Sequence, residues 1–384
     1  MPRIAIFRHQ LFKVSEPFIL DQAGKLPGCE VLYVGRERVG PAPSGTQSYA
    51  LSDVASQRTY RSRLWQVLTR DPRPYLRLLE GRAPDLLHAH FGVEGVYAFP
   101  IAARLGIPLV TTFHGFDATQ TRSALLRSGH PSWWNYLLHR RQLAVRGDLF
   151  VCVSHYIRKR LMALRFPEAR TIVHYIGVDV DAIRPSPTHA VKPTIIHVAR
   201  LVEKKGTRYL IAAFAQLRRK CPEAELQIVG SGPLERALRA QVEYLGIGDA
   251  VHFLGARPHV EALKLLSQAW ILSLPSVTDR SRDMEGLGMV LLEAAACAVP
   301  VVATWHNGIP EVVVDNVTGY LVAERDENAL ADRLLLLLRD ENLRKQMGRA
   351  GRVRVEAQFD LARQSAALAK IYSDTLRASV AGSI

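Results

Sequence analysis

The chain has 384 residues, 48% of them apolar, which is too long for one ordinary core, comfortable for two, and unlike a disordered composition. Four scattered cysteines without a Cys-x-x-Cys pair argue against zinc and disulfide frameworks and fit a reducing cytoplasm. The net charge of +14 is uneven: residues 1–180 hold 24 basic and 13 acidic side chains, the remainder 26 and 23, so phosphate-bearing partners are drawn mainly to the first half unless this is plain Arg-rich surface.

The opening Met1-Pro2-Arg3-Ile4-Ala5-Ile6-Phe7 reads as a short strand, not a signal peptide. Strands are predicted at Arg3–Phe7, Glu30–Val34, Asp85–His90, Leu109–His114, Leu149–Ser154 and, more briefly, Thr171–Tyr175. A second series follows at Thr194–Arg200, Leu226–Val229, Val251–Leu254, Trp270–Leu274, Val301–Thr304 and Tyr320–Val322. Most are continuous apolar runs separated by helical segments, the pattern of parallel sheets buried on both faces. Pro185, Pro187 and Pro193 mark a linker over Asp181 to Pro193 between the two series. Gly286 to Trp305 is long enough to span a bilayer, but Glu293 and Pro300 make it a buried helix followed by a strand. A last helix is expected from Ala357 to about Ser379. Two doubly wound sheets bind ligands at the carboxyl ends of their strands, so two facing domains would share one cleft, and the residues just after the strands carry the interest.

In chain order, Ser15-Glu16-Pro17-Phe18-Ile19 follows the first strand and borders the expected cleft. His88 and His90, two apart on one strand, share a face. They lack an evident third ligand for a metal, and His88 is better read as a hydrogen-bonding group inside the sheet. His114 ends the next strand, Gly115 gives a tight exit, and Asp117 is placed to orient the imidazole. Arg200 ends the first strand of the second series and Lys205 opens the following helix, with Lys204 an alternative; two cations there suit a diphosphate. Gly230-Ser231-Gly232 ends a strand, either as a tight turn or for close approach of a ligand. The strongest signal is Glu285-Gly286-Leu287-Gly288-Met289-Val290-Leu291-Leu292-Glu293. Its glycines open a helix whose N-terminus attracts phosphate, and a continuous helix would set the two carboxylates about 12 Å apart along its axis. Glu293 in so apolar a stretch needs a ligand or partner.

This set of motifs resembles the retaining glycosyltransferases of family four, with the GT-B fold. The matching pieces also include Phe91, Ser154, Gly177-Val178-Asp179, Gly206, Gly308-Ile309-Pro310-Glu311 and Gly319-Tyr320-Leu321-Val322, and together they cover most of the chain in order. The resemblance implies an α/β chain of two Rossmann-like domains. Residues 1–184, with a returning helix at about 360–384, would form the acceptor domain and 191–359 the donor domain. Arg200 and Lys205 would hold the donor diphosphate and Glu293 the ribose. Glu285 with Gly286, Leu287, Gly288 and Met289 would hold the donor sugar, Gly230 and Gly232 would line its site, and His114 would touch the sugar near the reacting carbon. Ser15, Glu16, His90 and Asp117 would face the acceptor. The implied reaction is transfer with retention by front-face attack, from a UDP- or GDP-linked sugar, with no protein nucleophile, metal or other cofactor. The Asp179-x-Asp181 triplet mimics a metal motif of another transferase fold but sits at the linker. Arg8-His9-Gln10-Leu11-Phe12-Lys13 replaces the Gly-Gly pair of many relatives, so the acceptor side differs. The charged loop Val277 to Met284 leaves donor-sugar choice unread.

Arg61 to Arg82 and Arg122 to Arg146 interleave arginine with tryptophan, tyrosine and leucine. Such stretches suit either an anionic membrane surface or amphipathic helices packed on the sheet. The first reading gives a cytoplasmic enzyme peripheral to the inner membrane face, meeting a polyprenyl-diphosphate-linked saccharide in exopolysaccharide or lipopolysaccharide assembly. The rivals are a nucleotide-sugar epimerase of the same fold, a non-catalytic partner subunit, and a nucleic-acid binder, which lacks a recognition element.

Overall fold

A computed structural model describes residues 1–13, 15–57 and 59–382. The chain divides into two compact units, residues 1–177 with 361–384, and residues 178–360.

The first unit is built on strands β1 (Arg3–Leu11), β2 (Glu30–Arg38), β3 (Gln47–Ala50), β4 (Leu86–His90), β5 (Leu109–Phe113), β6 (Leu149–Cys152) and β7 (Thr171–Val173). They pair in parallel in the order β3-β2-β1-β4-β5-β6-β7. β4 and β5 are buried along their whole length, and their polar members His88, His90, Thr111 and Thr112 are buried with the rest. β3 was not expected. It is a four-residue edge strand, Gln-Ser-Tyr-Ala, whose outer residues stay partly exposed and which therefore carries no apolar run. The last helix, Leu361–Val380, belongs to this unit: Leu368, Ala369 and Tyr372 enter the core with Ile4, Ile6 and Ile19. It starts later than predicted because a separate helix, Glu341–Gln358, precedes it.

The second unit carries β8 (Thr194–Val198), β9 (Glu225–Val229), β10 (Val251–Gly255), β11 (Ile271–Leu274), β12 (Val301–Thr304) and β13 (Gly319–Val322), again all parallel, in the order β10-β9-β8-β11-β12-β13. Its core gathers Ile195, Leu210, Phe214, Leu226, Leu334 and Leu337. The stretch after Gly177 packs with this unit, since Arg352 donates to the carbonyls of Val180 (2.7 Å) and Ile183 (2.6 Å).

The strand order reverses between β1 and β4 in the first sheet and between β8 and β11 in the second. At such a switch point the two following loops diverge and leave a crevice at the carboxyl ends of the strands.

Candidate functional site

In the second unit the loops after β8 and β11 flank the switch point. β8 stops at Val198, short of the predicted Arg200, which stands exposed beyond the strand. Lys205 does not open a helix. It closes a 3-10 turn, Glu203–Lys205, and the helix Thr207–Arg218 begins after Gly206. Gly206 has φ +67°, and a Cβ on it would lie 1.8 Å from the carbonyl oxygen of Pro275. Glycine thus lets the β8 loop lie directly against the β11 loop. Below them, His197 bonds the carbonyl of Ser273 (2.8 Å) and the hydroxyl of Thr207 (3.0 Å). Burial pushes its imidazole down to about 4, so it is a neutral strut.

Two ammonium–carboxylate pairs cross between these loops. Lys204 bonds Asp283 at 3.0 Å and Lys205 bonds Glu285. Burial raises the Glu285 carboxyl, but Lys205 and Lys204 outweigh it and hold the group at about 2. Glu285 is not helical. The helix Met289–Ala296 starts after Gly288, which has φ +88°. The axial separation expected from one continuous helix therefore does not apply. Gly286 and Leu287 are buried, and a Cβ on Gly308 would lie 2.0 Å from the Gly286 carbonyl oxygen. Glu293 does have a partner, His259 Nε2 at 2.8 Å, from the helix His259–Gln268 that follows β10.

Gly230 and Gly232 allow a close approach between two loops. A Cβ on Gly230 would lie 1.9 Å from the carbonyl oxygen of Ala199, and one on Gly232 2.5 Å from that of Leu201. They let the loops after β8 and β9 run side by side, joined by Leu201 N–H to the Ser231 carbonyl at 2.9 Å.

Three residues here were not singled out from the sequence: His259, His306 and Glu324. The last two hold both ends of the loop after β11. Glu324 accepts from Thr278 N–H (2.9 Å) and from His306 Nδ1 (2.7 Å), while Glu285 N–H donates to His306 Nε2 (3.3 Å). Each lies just past the end of a strand, His306 after β12 and Glu324 after β13, and that position was the signal available.

In the first unit, His88 on β4 bonds Tyr372 Oη (2.6 Å) through Nδ1 and Thr112 Oγ1 (2.7 Å) through Nε2, a structural role. His90 Nδ1 meets His114 Nε2 at 3.1 Å. Burial, then nearby Arg8 and His88, hold both the His90 and the His114 imidazoles well below the usual range, so both are neutral. Asp117 does not orient His114. Its two oxygens accept from the main-chain N–H groups of Gly92 (2.8 Å) and Gly115 (2.9 Å), and burial raises it to about 6. His90 is the ring partner instead. Ser15 is exposed in a turn, and Glu16 pairs with Arg8, which also bonds Glu94 at 2.5 Å. Burial pushes Glu94 up to about 7 against the pull of Arg8.

Two family models match this chain: "Glycosyltransferase Family 4" over residues 25–182 and "Glycosyl transferases group 1" over residues 179–354. The putative colanic acid biosynthesis glycosyltransferase WcaL of Escherichia coli is 38% identical over 255 residues, 65% of this chain and 60% of that protein, so the match spans about three-fifths of that relative's length. The amylovoran biosynthesis glycosyltransferase AmsK of Erwinia amylovora is 32% identical over 72% of this chain and 67% of its own length. A GDP-mannose-dependent phosphatidylinositol monomannoside mannosyltransferase of Mycolicibacterium smegmatis is 33% identical over 70% and 71%. Among solved structures, sucrose-phosphate synthase from Thermosynechococcus elongatus superposes with TM-score 0.79 at 20% identity, covering 98% of this chain and all of that one. HepE of Anabaena in complex with UDP gives 0.76 at 20% identity over 97% of this chain and 100% of its own. The fold is GT-B.

Proposed function

The chain belongs to glycosyltransferase family 4, and on that premise we propose that it moves a sugar from a nucleotide-sugar donor to a saccharide or lipid-linked saccharide acceptor in bacterial polysaccharide assembly. The observation that carries this reading is the pairing of Lys204 and Lys205 with Asp283 and Glu285 at the switch point of the second sheet. Cationic groups fixed there are positioned for a diphosphate, and an ionised carboxylate next to them accepts hydrogen bonds from sugar hydroxyls.

In this reading Arg200 and Lys205 hold the donor diphosphate and disperse the charge of the leaving group. Glu293 takes the ribose hydroxyls, and Glu285 with the amides of Gly286 to Met289 takes the sugar. Neutral His114, held by His90, is a hydrogen-bonding residue of the transfer step. The anomeric configuration is retained: the acceptor oxygen attacks from the face the diphosphate leaves, and a leaving phosphate oxygen takes its proton. The ammonium groups supply the positive charge that a divalent cation would otherwise bring, so no metal is required. The relatives' names point to both UDP and GDP, so both are candidates. An anionic membrane surface is the second partner. Helix Tyr60–Thr69 buries Gln66 and leaves Leu64, Trp65 and Leu68 outside, the reverse of a helix packed through its apolar face.

The test is calorimetric and thermal-shift titration with UDP, GDP and ADP, with and without Mg²⁺, on the native chain and Glu293→Ala. One nucleotide should bind without metal. Its affinity should fall about tenfold or more in the variant, the worth of hydrogen bonds to a charged group. Binding by none of them removes the donor site, and binding only with Mg²⁺ removes the metal-free part.

A further inference from the structure

The loop between β11 and the helix Met289–Ala296 holds Asp283 and Glu285, yet it is not held by the lysines alone. Its first residues are fixed by Glu324, which accepts from Thr278 N–H (2.9 Å) and Thr278 Oγ1 (3.2 Å). Arg325, next in the chain, donates to the Thr278 carbonyl at 2.7 Å. The far end is fixed by His306, whose Nε2 accepts from Glu285 N–H at 3.3 Å. His306 Nδ1 meets Glu324 at 2.7 Å, so one carboxylate and one imidazole clamp both ends of the loop.

Only one tautomer satisfies these partners. Glu324 requires a proton on Nδ1, and Nε2 must then be bare to accept from Glu285. Asn307 Nδ2 donates to the same Nε2 at 2.8 Å and shares its one lone pair with Glu285 N–H. The His306 side chain is fully enclosed. Between the clamped ends the loop is tied to itself, with Asp279 Oδ1 accepting from Ser281 N–H and Asp283 N–H, both at 2.8 Å. Replacing His306 therefore frees the main chain of Glu285 and leaves the middle of the loop and both lysine pairs in place.

We propose that His306 and Glu324 are the positioning residues that set Glu285 and the amides after it, and so decide which donor sugars the loop accepts. The inference rests on the donor reading above. It assigns the nucleotide's diphosphate to the lysines and Arg200, and the choice of sugar to the clamp. The two contributions are separable because His306 meets the main-chain N–H of Glu285, while the lysines meet the Asp283 and Glu285 carboxylates.

The experiment compares affinities of UDP and GDP with those of a panel of UDP- and GDP-sugars, for the native chain, His306→Ala and Glu324→Gln. In His306→Ala the diphosphate should bind within about threefold of native, which also reports that the unit is folded. The extra affinity of the best nucleotide sugar over its diphosphate should fall about tenfold, the worth of a lost charge-assisted hydrogen bond, and the ranking within the panel should flatten. His306→Asn keeps a donor toward Glu324 and should recover part of the ranking. Should His306→Ala not fold, Glu324→Gln, close in size and shape, reads the same increment. An unchanged increment and ranking in both variants overturns the inference and leaves the donor reading standing. Absence of diphosphate binding by the native chain overturns the donor reading itself, and the inference with it.

Discussion

Lys205 and Glu285 are both largely withdrawn from solvent, with 14% and 12% of their side chains exposed. Removing one partner from such a pair leaves the other uncompensated, at about 3–5 kcal/mol. The Glu285 carboxyl lies at about 2 in the fold against an ordinary 4.5. A depressed acid stabilises the fold above the unfolded value, and that contribution disappears as pH falls through the folded one. Native protein should lose this increment between about pH 4.5 and pH 2. The expected result is that urea unfolding of Glu285→Gln shows a flatter pH dependence over that window, and parallel curves for the two proteins would refute the pairing. Lys205 and Glu285 each stand in a short local pattern that the sequence displays, and the structure pairs them. His259, His306 and Glu324 were not legible in this way, because their significance lies in partners 34, 21 and 46 residues away along the chain. Asp117 misled for the opposite reason: its nearness to His114 in sequence suggested a ring contact, while its carboxylate is spent on two main-chain amides.

At the scale of elements, the two sheets could be read almost strand for strand, because buried parallel strands are continuous apolar runs. The unread strand, β3, lies at a sheet edge and is too short and polar for that signature. Loop geometry was harder, since the sequence of Gly230 and Gly232 does not show the neighbouring loop that each lies against. Gly206 gives the sharpest test. Alanine there must hold a left-handed φ and also meet the Pro275 carbonyl oxygen at 1.8 Å. Gly246 has nearly the same φ, +65°, and open space around its would-be Cβ. Gly246→Ala should cost about 1 kcal/mol, from backbone strain alone. Gly206→Ala should cost about 2–4 kcal/mol and weaken diphosphate binding, because the loops bearing Lys205 and Glu285 must separate. Equal costs in chemical denaturation would show that the close approach of the two loops contributes nothing.

Across the whole chain, the excess positive charge in residues 1–180 coincides with an unusual surface. Trp65 (55% exposed), Leu68 (51%), Trp134 (42%) and Leu138 (73%) stand on the neighbouring helices Tyr60–Thr69 and Pro131–Arg146. These helices are joined by Asn135 Nδ2, which donates to the carbonyls of Val67 (2.5 Å) and Leu68 (3.2 Å). Trp134 Nε1 in turn reaches the Leu126 carbonyl at 3.1 Å, which brings in helix Arg122–Arg127. Exposed Arg61, Arg63, Arg122, Arg127 and Arg141 accompany these apolar side chains. Among the described residues no helix is long and apolar enough to cross a membrane, so any lipid contact through them lies at the interface. Aromatic rings inserted at headgroup level and arginines above them would bind anionic bilayers, at about 1 kcal/mol per arginine. Native protein should therefore sediment with vesicles containing anionic phospholipid at low salt, less so at high salt, and not with neutral vesicles. Arg61→Ala combined with Arg141→Ala should weaken binding by about ten- to thirtyfold. Trp65→Ser with Leu68→Ser should reduce what remains at high salt, where screening has removed the electrostatic part and burial of apolar area is left. Equal behaviour toward anionic and neutral vesicles would sink the membrane reading and return these helices to a role between protein surfaces.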